Sequence, residues 1–68
     1  TKSKSDWLRQ LRRCQNRDTL EKIVERISAR LHGNELLCFF MAADHRRAEL
    51  AMGQLYDNVP VSVWRYVR

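Results

Sequence analysis

Residues 34–57 read NELLCFFMAADHRRAELAMGQLYD, and this stretch decides the fold. Leu36, Leu37, Phe39, Phe40, Met41, Leu50, Met52 and Leu55 wrap most of the way round a helical wheel. A helix that is apolar on nearly all sides must be covered from several directions, so it belongs at the centre of a helical domain. On its N-terminal side, His32, Gly33 and Asn34 close a preceding helix, with Gly33 free to take a left-handed conformation. That helix opens at D-T-L-E, residues 18–21, and its Leu20, Ile23, Val24, Ile27 and Leu31 follow the 3.6-residue period. Further back, Ser3 and Asp6 form an S-x-x-D entry signal. The helix it starts covers about residues 4–15, with Trp7, Leu8, Leu11 and Cys14 on one side. On the C-terminal side, Asn58, Val59 and Pro60 end the long helix, and Pro60 suits the first position of a short last helix carrying Val63, Trp64 and Val67. The expectation is an all-α fold in a single domain over residues 1–68. It has four helices, a long third one at the centre and three shorter ones packed on it.

Size and composition narrow the function. A chain of 68 residues buries only about 60% of the surface its unfolded form exposes. Its core supplies roughly 3–5 kcal/mol, too little to enclose a deep cleft. Two glycines and one proline are too few turn residues for an all-β fold. Thirteen Lys and Arg against eight Asp and Glu give a net charge of +5, which points to a polyanion nearby. The charge is uneven. Residues 1–17 hold six basic groups against Asp6 alone, residues 18–59 are mildly acidic, and Arg65 and Arg68 make the end basic again. No apolar run approaches 18 residues, so no membrane span is expected, and the N-terminus does not read as a secretory signal. Two cysteines without a disulfide framework suit a reducing, cytoplasmic setting.

Catalytic and metal chemistry are hard to assemble from these residues. Cys14 and Cys38 stand far apart, His32 and His45 are isolated, and the paired ligands of a zinc site are absent. His45 and Glu49 lie four residues apart on one helical face, where an ordinary hydrogen bond or ion pair is expected. Cys38 reads as a small core hydrophobe. Cys14 is either a thiol activated by Arg12, Arg13 and Arg17 or, the favoured reading, a partly packed helix-end residue. There is no glycine-rich phosphate loop. The expectation is a protein that is not an enzyme, with no cofactor, no metal and no small-molecule substrate.

The second helix sorts its charges. At 100° per residue, Lys22, Arg26 and Arg30 form a stripe roughly 110–120° to one side of the apolar set, and Asp18, Glu21 and Glu25 one roughly 140° to the other. This creates like-charge i,i+4 pairs that each cost about 0.2–0.5 kcal/mol. Chance sorting of solvated charges is one reading; two surfaces for two differently charged partners is the other. Asp44 also admits two. It projects with Leu37, Ala51 and Leu55, beside Phe40, so it is either paired with Arg47 or exposed at the core edge, or else it waits in an apolar patch for a cation from another chain. Only Gln10, Gln15 and Asn16 near the basic cluster suit base reading, so phosphate contact is more plausible than sequence readout.

L-R-R-C-Q at 11–15, D-T-L-E at 18–21, A-A-D-H-R at 42–46, A-E-L at 48–50, L-Y-D at 55–57 and V-P-V-S-V-W at 59–64 closely resemble the Hha/YmoA family in order and spacing, over nearly the whole chain. The resemblance implies a small, nucleoid-associated bacterial modulator of gene expression. Such proteins bind the N-terminal dimerisation region of the nucleoid-structuring protein H-NS or a paralogue, reach DNA indirectly through that complex, and reinforce silencing. It implies that Asp18, Glu21 and Asp44 engage basic side chains of H-NS, with Glu25 contributing. From surface charge, Arg12, Arg13, Arg26 and Arg30 are the expected DNA-facing groups. Several positions depart from the family pattern. R-L-H-G-N at 30–34 stands where members carry E-L-S-D-N, Ser28 replaces a lysine, and Met41 and Arg47 replace Ser and Leu. Arg47 either pairs with Asp44 and weakens the interface or changes which H-NS paralogue is preferred. Two alternatives remain open: autonomous non-specific DNA binding, and the toxin half of a toxin–antitoxin pair.

Overall fold

A computed structural model describes residues 2–64, and among them every regular element is helical. The helices are α1 (Lys4–Leu11), α2 (Arg17–Ser28), α3 (Gly33–Met52) and α4 (Val61–Trp64). At about 1.5 Å per residue, the 20 residues of α3 match the 30 Å long axis of the molecule. The other three helices all pack on it.

Each start has a local cause. Ser3 Oγ accepts from the Asp6 N–H and Asp6 Oδ2 accepts from the Ser3 N–H, closing the capping box that opens α1. The cap of α2 is Asn16, whose Oδ1 accepts from the Thr19 N–H at 2.9 Å. Asp18, expected at the cap, instead sits in the first turn, where its charge complements the helix dipole. Between α2 and α3 the backbone turns at Gly33, which has φ 60°.

Three of the ends differ from expectation. α2 stops at Ser28, short of Leu31, because the Arg30 and Leu31 N–H groups bond the carbonyls three residues back, those of Ile27 and Ser28, in a tight turn. α1 stops at Leu11, not near residue 15, and finishes in a tight turn. The Arg46 guanidinium from α3 takes the carbonyl of Cys14 at 2.9 Å, so a tertiary donor replaces the next helical N–H. α3 stops at Met52, not at 57. Gly53 takes the left-handed conformation (φ 68°), and the N–H groups of Gly53 and Gln54 both donate to the Glu49 carbonyl. Leu55, placed on the helical wheel from sequence, therefore lies outside the helix and is exposed. Val67, expected in the last helix, lies outside the described residues, as do Arg65 and Arg68.

The core joins Trp7, Leu8, Leu11 and Cys14 from the α1 side, Leu20 and Val24 from α2, and Phe39, Ala42 and Ala43 from α3. Trp7 and Phe39 meet edge to face with ring centres 5.0 Å apart. Ala42 and Ala43 are fully buried, which lets the short helices approach the α3 backbone closely. A second, smaller cluster seats Val63 of α4 on Ala48, with Tyr56, Val59 and Trp64 around it. Cys14 is buried and Cys38 half-buried, and both are free thiols. Lys2 Nζ lies 4.5 Å from the centre of the Trp7 ring and donates to Gln10 Oε1.

Candidate functional site

Following the inward face of α3 from Phe39 through Ala42 and Ala43 leads one turn later to Arg46 and Glu49, both buried. A buried carboxylate needs partners, and Glu49 has them. It accepts from Arg12 through Nε (3.1 Å) and Nη2, from Arg46 Nη1 (3.1 Å) and from the Tyr56 N–H (3.0 Å). His45 Nε2 lies 3.5 Å from it and donates to the Tyr56 carbonyl at 2.7 Å. The expected i,i+4 contact between His45 and Glu49 is thus present, as a minor part of a larger network. Burial on its own would raise the Glu49 pKa, but the bonds from Arg12, Tyr56 and Arg46 outweigh it and hold the carboxyl below its ordinary value. The same bond to Glu49 raises the Arg12 pKa. This network ties the end of α1, the middle of α3 and the loop leading to α4 into one unit. Arg12, expected to face DNA, is turned inward by it and also donates to the Tyr56 carbonyl.

A second ion cluster joins α2 to α3. Arg47 Nε and Nη2 donate to the two oxygens of Glu21 at 2.7 and 2.8 Å, and Nη1 donates to Asp44 at 2.7 Å. Arg17 adds a bond to Glu21 at 3.0 Å. The bonds from Arg47, then Arg17, lower the Glu21 pKa to about 2. Of the two readings of Asp44, the structure shows the internal pair with Arg47. Glu21 and Asp44 lie close together, and they share a guanidinium of their own chain. Asp18 and Glu25 are exposed on α2.

Both lowered carboxyls link stability to pH in the same direction. A depressed folded pKa gives stability that is complete above the ordinary value of 4.5 and is lost as pH falls through the folded value. Glu21 is partly exposed, so solvent screens much of its share; the buried Glu49 carries more of the effect. Thermal unfolding followed by circular dichroism should show a level midpoint above about pH 5 and a falling one from there towards pH 2. A midpoint unchanged down to pH 3 would contradict the network.

Next to Asp44, α3 exposes large apolar side chains that were expected to be covered. Leu37 is 62% exposed, Met41 56% and Phe40 40%. With Asp44 they occupy positions i, i+3, i+4 and i+7, a single face of the helix. The reason lies in the C-terminal half of α3, where alanines and the buried ion network form the inward face and turn this strip outward. On α2, Lys22 and Arg26 are exposed, Arg30 is exposed in the turn that follows it, and Arg13 is exposed just after α1. Sequence reading missed the Glu49 network. The available signal was the continuation of the Phe39–Ala42–Ala43 face onto two charged residues.

The described residues hold no group of three or more His, Cys, Asp or Glu able to bind a metal ion. A depression of about 330 Å³ opens beside Gln15, Arg46, Glu49 and Leu50, but Glu49 already accepts four hydrogen bonds from its own chain. No described helix is long and apolar enough to cross a membrane. These features define a small helical protein whose chemistry lies in charged and apolar surfaces. Known proteins agree. The family model for the haemolysin expression modulating protein matches residues 9–65, and the chain belongs to that family. It is 42% identical over 67 residues to proteins called OriC-binding nucleoid-associated protein in Escherichia coli O157:H7 and Shigella flexneri serotype 5b, an alignment that covers 93% of this chain and 94% of each relative. A uropathogenic Escherichia coli relative of the same name matches equally well. The family is one of regulatory proteins, not of enzymes.

Proposed function

We propose that this chain is a nucleoid-associated co-regulator that docks on the N-terminal dimerisation region of H-NS, or of a paralogue, and adds basic surface towards DNA held by that partner. The observation that carries the reading is the division of the exposed surface. An apolar strip of Leu37, Phe40 and Met41 runs into the Glu21–Arg47–Asp44 cluster, with Asp18 and Glu25 exposed on the same helix as Glu21. Arg13, Arg26 and Arg30, with Lys22, remain exposed elsewhere as the DNA-facing set. Apolar anchors bordered by charge suit a protein partner with its own cations. Arginines without a base-reading helix suit phosphate contact.

Titration of the H-NS N-terminal region into wild type, Asp44→Asn and Glu21→Gln tests the acidic side of this face. Each neutral variant is expected to bind about tenfold more weakly, and both should stay folded, because both carboxylates are partly open to solvent and ion pairs screened in that way contribute only about 0–1 kcal/mol. Unchanged affinity in both would remove the acids from the interface. The relatives' name supports a second reading, in which the basic groups hold DNA without a partner. Mobility shift of DNA by the isolated chain at physiological salt, with micromolar or better affinity, would favour it.

A further inference from the structure

Arg47 is a guanidinium on which the fold and the docking face both draw. Its three nitrogens reach both oxygens of Glu21 and one of Asp44, and its side chain is only 17% exposed, against 41% for Glu21 and 35% for Asp44. A planar fork held on two carboxylates is the geometry in which an arginine from another chain would bind them. The apolar packing of the α2–α3 boundary is supplied separately, by Leu20, Val24, Phe39, Ala42 and Ala43. Arg47 also sets the local field. Among the described residues it is the one side chain bonded to both acids, while Arg17 adds a bond to Glu21 alone, so removing Arg47 takes positive charge from Glu21 and Asp44 together.

We propose that Arg47 is an internal stand-in for the partner's cation, masking Glu21 and Asp44 in the free protein and setting which partners can dock. This inference rests on the docking reading above. The partner's apolar side chains seat on Leu37, Phe40 and Met41, which are open, while its cation competes with Arg47 one turn beyond. Competition against a fork favours a fork. A partner arginine can reproduce the paired bonds that Arg47 gives up, whereas a lysine offers a single point of charge. The mask therefore selects partners that present arginine at this position.

Isothermal titration of the H-NS N-terminal region into wild type, Arg47→Met, Arg47→Lys and Leu37→Ser, at two salt concentrations, tests the mask. Removal of the guanidinium in Arg47→Met should tighten binding about tenfold and steepen its salt dependence, since the exposed acids gain net negative charge. Arg47→Lys keeps a cation at the α2–α3 boundary but loses the fork, and should tighten binding about threefold. It decides the matter if the methionine variant fails to fold. Equal or weaker binding by the folded Arg47 variants, with Leu37→Ser still disrupting the complex, overturns the mask and leaves the docking reading standing. Absence of binding by wild type and every variant overturns both.

Discussion

Glu49→Gln is expected to lower the unfolding midpoint by more than about 12 °C, which for a chain of this size corresponds to a loss of about 3 kcal/mol. The reason is the company that Glu49 keeps. Glu49 is 1% exposed and Arg46 6%, and Arg46 gives its remaining bonds to the carbonyls of Arg12 and Cys14 at the end of α1. A neutral amide in place of the carboxylate leaves two guanidiniums without a counter-charge and turns an NH2 group towards donors. Breaking a buried pair by removing one partner is far more costly than never having built it. Arg12 is partly exposed, so water recovers some of its share, and the figure sits at the low end of the usual range for that reason. A domain of this size has only about 3–10 kcal/mol in total. The loss is therefore between about a third of that total and all of it. Urea denaturation followed by far-ultraviolet circular dichroism measures it; a loss under 1 kcal/mol would mean that the network is incidental to the fold.

Leu37→Ser combined with Met41→Ser is expected to weaken docking on the H-NS N-terminal region by 30-fold or more, about 2 kcal/mol, with the fold intact. Apolar anchors at the centre of an interface carry most of its energy, while the charges around them steer and select. Both side chains are more than half exposed, so the substitutions remove little burial from the folded monomer. Phe40 is a poorer choice, because its ring also leans on Phe39 with centres 6.1 Å apart. Titration calorimetry paired with a thermal melt separates the two effects. Lost binding with an unchanged melt places the strip in the interface; retained binding removes it.

The cap of α1 and the apolar periods of α1 and α2 were legible because they are local. Ser3 and Asp6 cap each other three residues apart, and Leu20, Val24 and Ile27 fall inward at the helical period. The long α3 and its central position followed from its breadth of apolar residues. What was not legible depends on contacts distant in sequence. The Cys14 carbonyl just past α1 is taken by Arg46, more than thirty residues away, and no local pattern announces it. Arg12 looked like a surface cation because its counter-charge, Glu49, lies 37 positions on. Two local signals were passed over: Asn16 as the cap of α2, and Gly53, since the apolar residues beyond it, Leu55 and Tyr56, seemed to continue the wheel. The same over-extension hid the outward strip: with Leu55 removed from α3, its large apolar side chains concentrate towards the N-terminal half. Of the site, the family resemblance grouped Glu21 with Asp44, but the guanidinium between them was visible only as a choice.

If one surface of this molecule holds a protein while another adds charge to DNA, H-NS binding to DNA must respond to the chain's arginines. The measurement is H-NS binding to DNA across a range of salt, alone, with the wild-type chain, and with a variant in which Arg13, Arg26 and Arg30 are alanine. The wild type should raise DNA affinity and steepen the log–log salt slope by about 0.9 for each phosphate contact it adds. The triple variant should bind H-NS as well as wild type does and leave the slope where H-NS alone sets it. A triple variant that enhances DNA binding as strongly as wild type would contradict the claim.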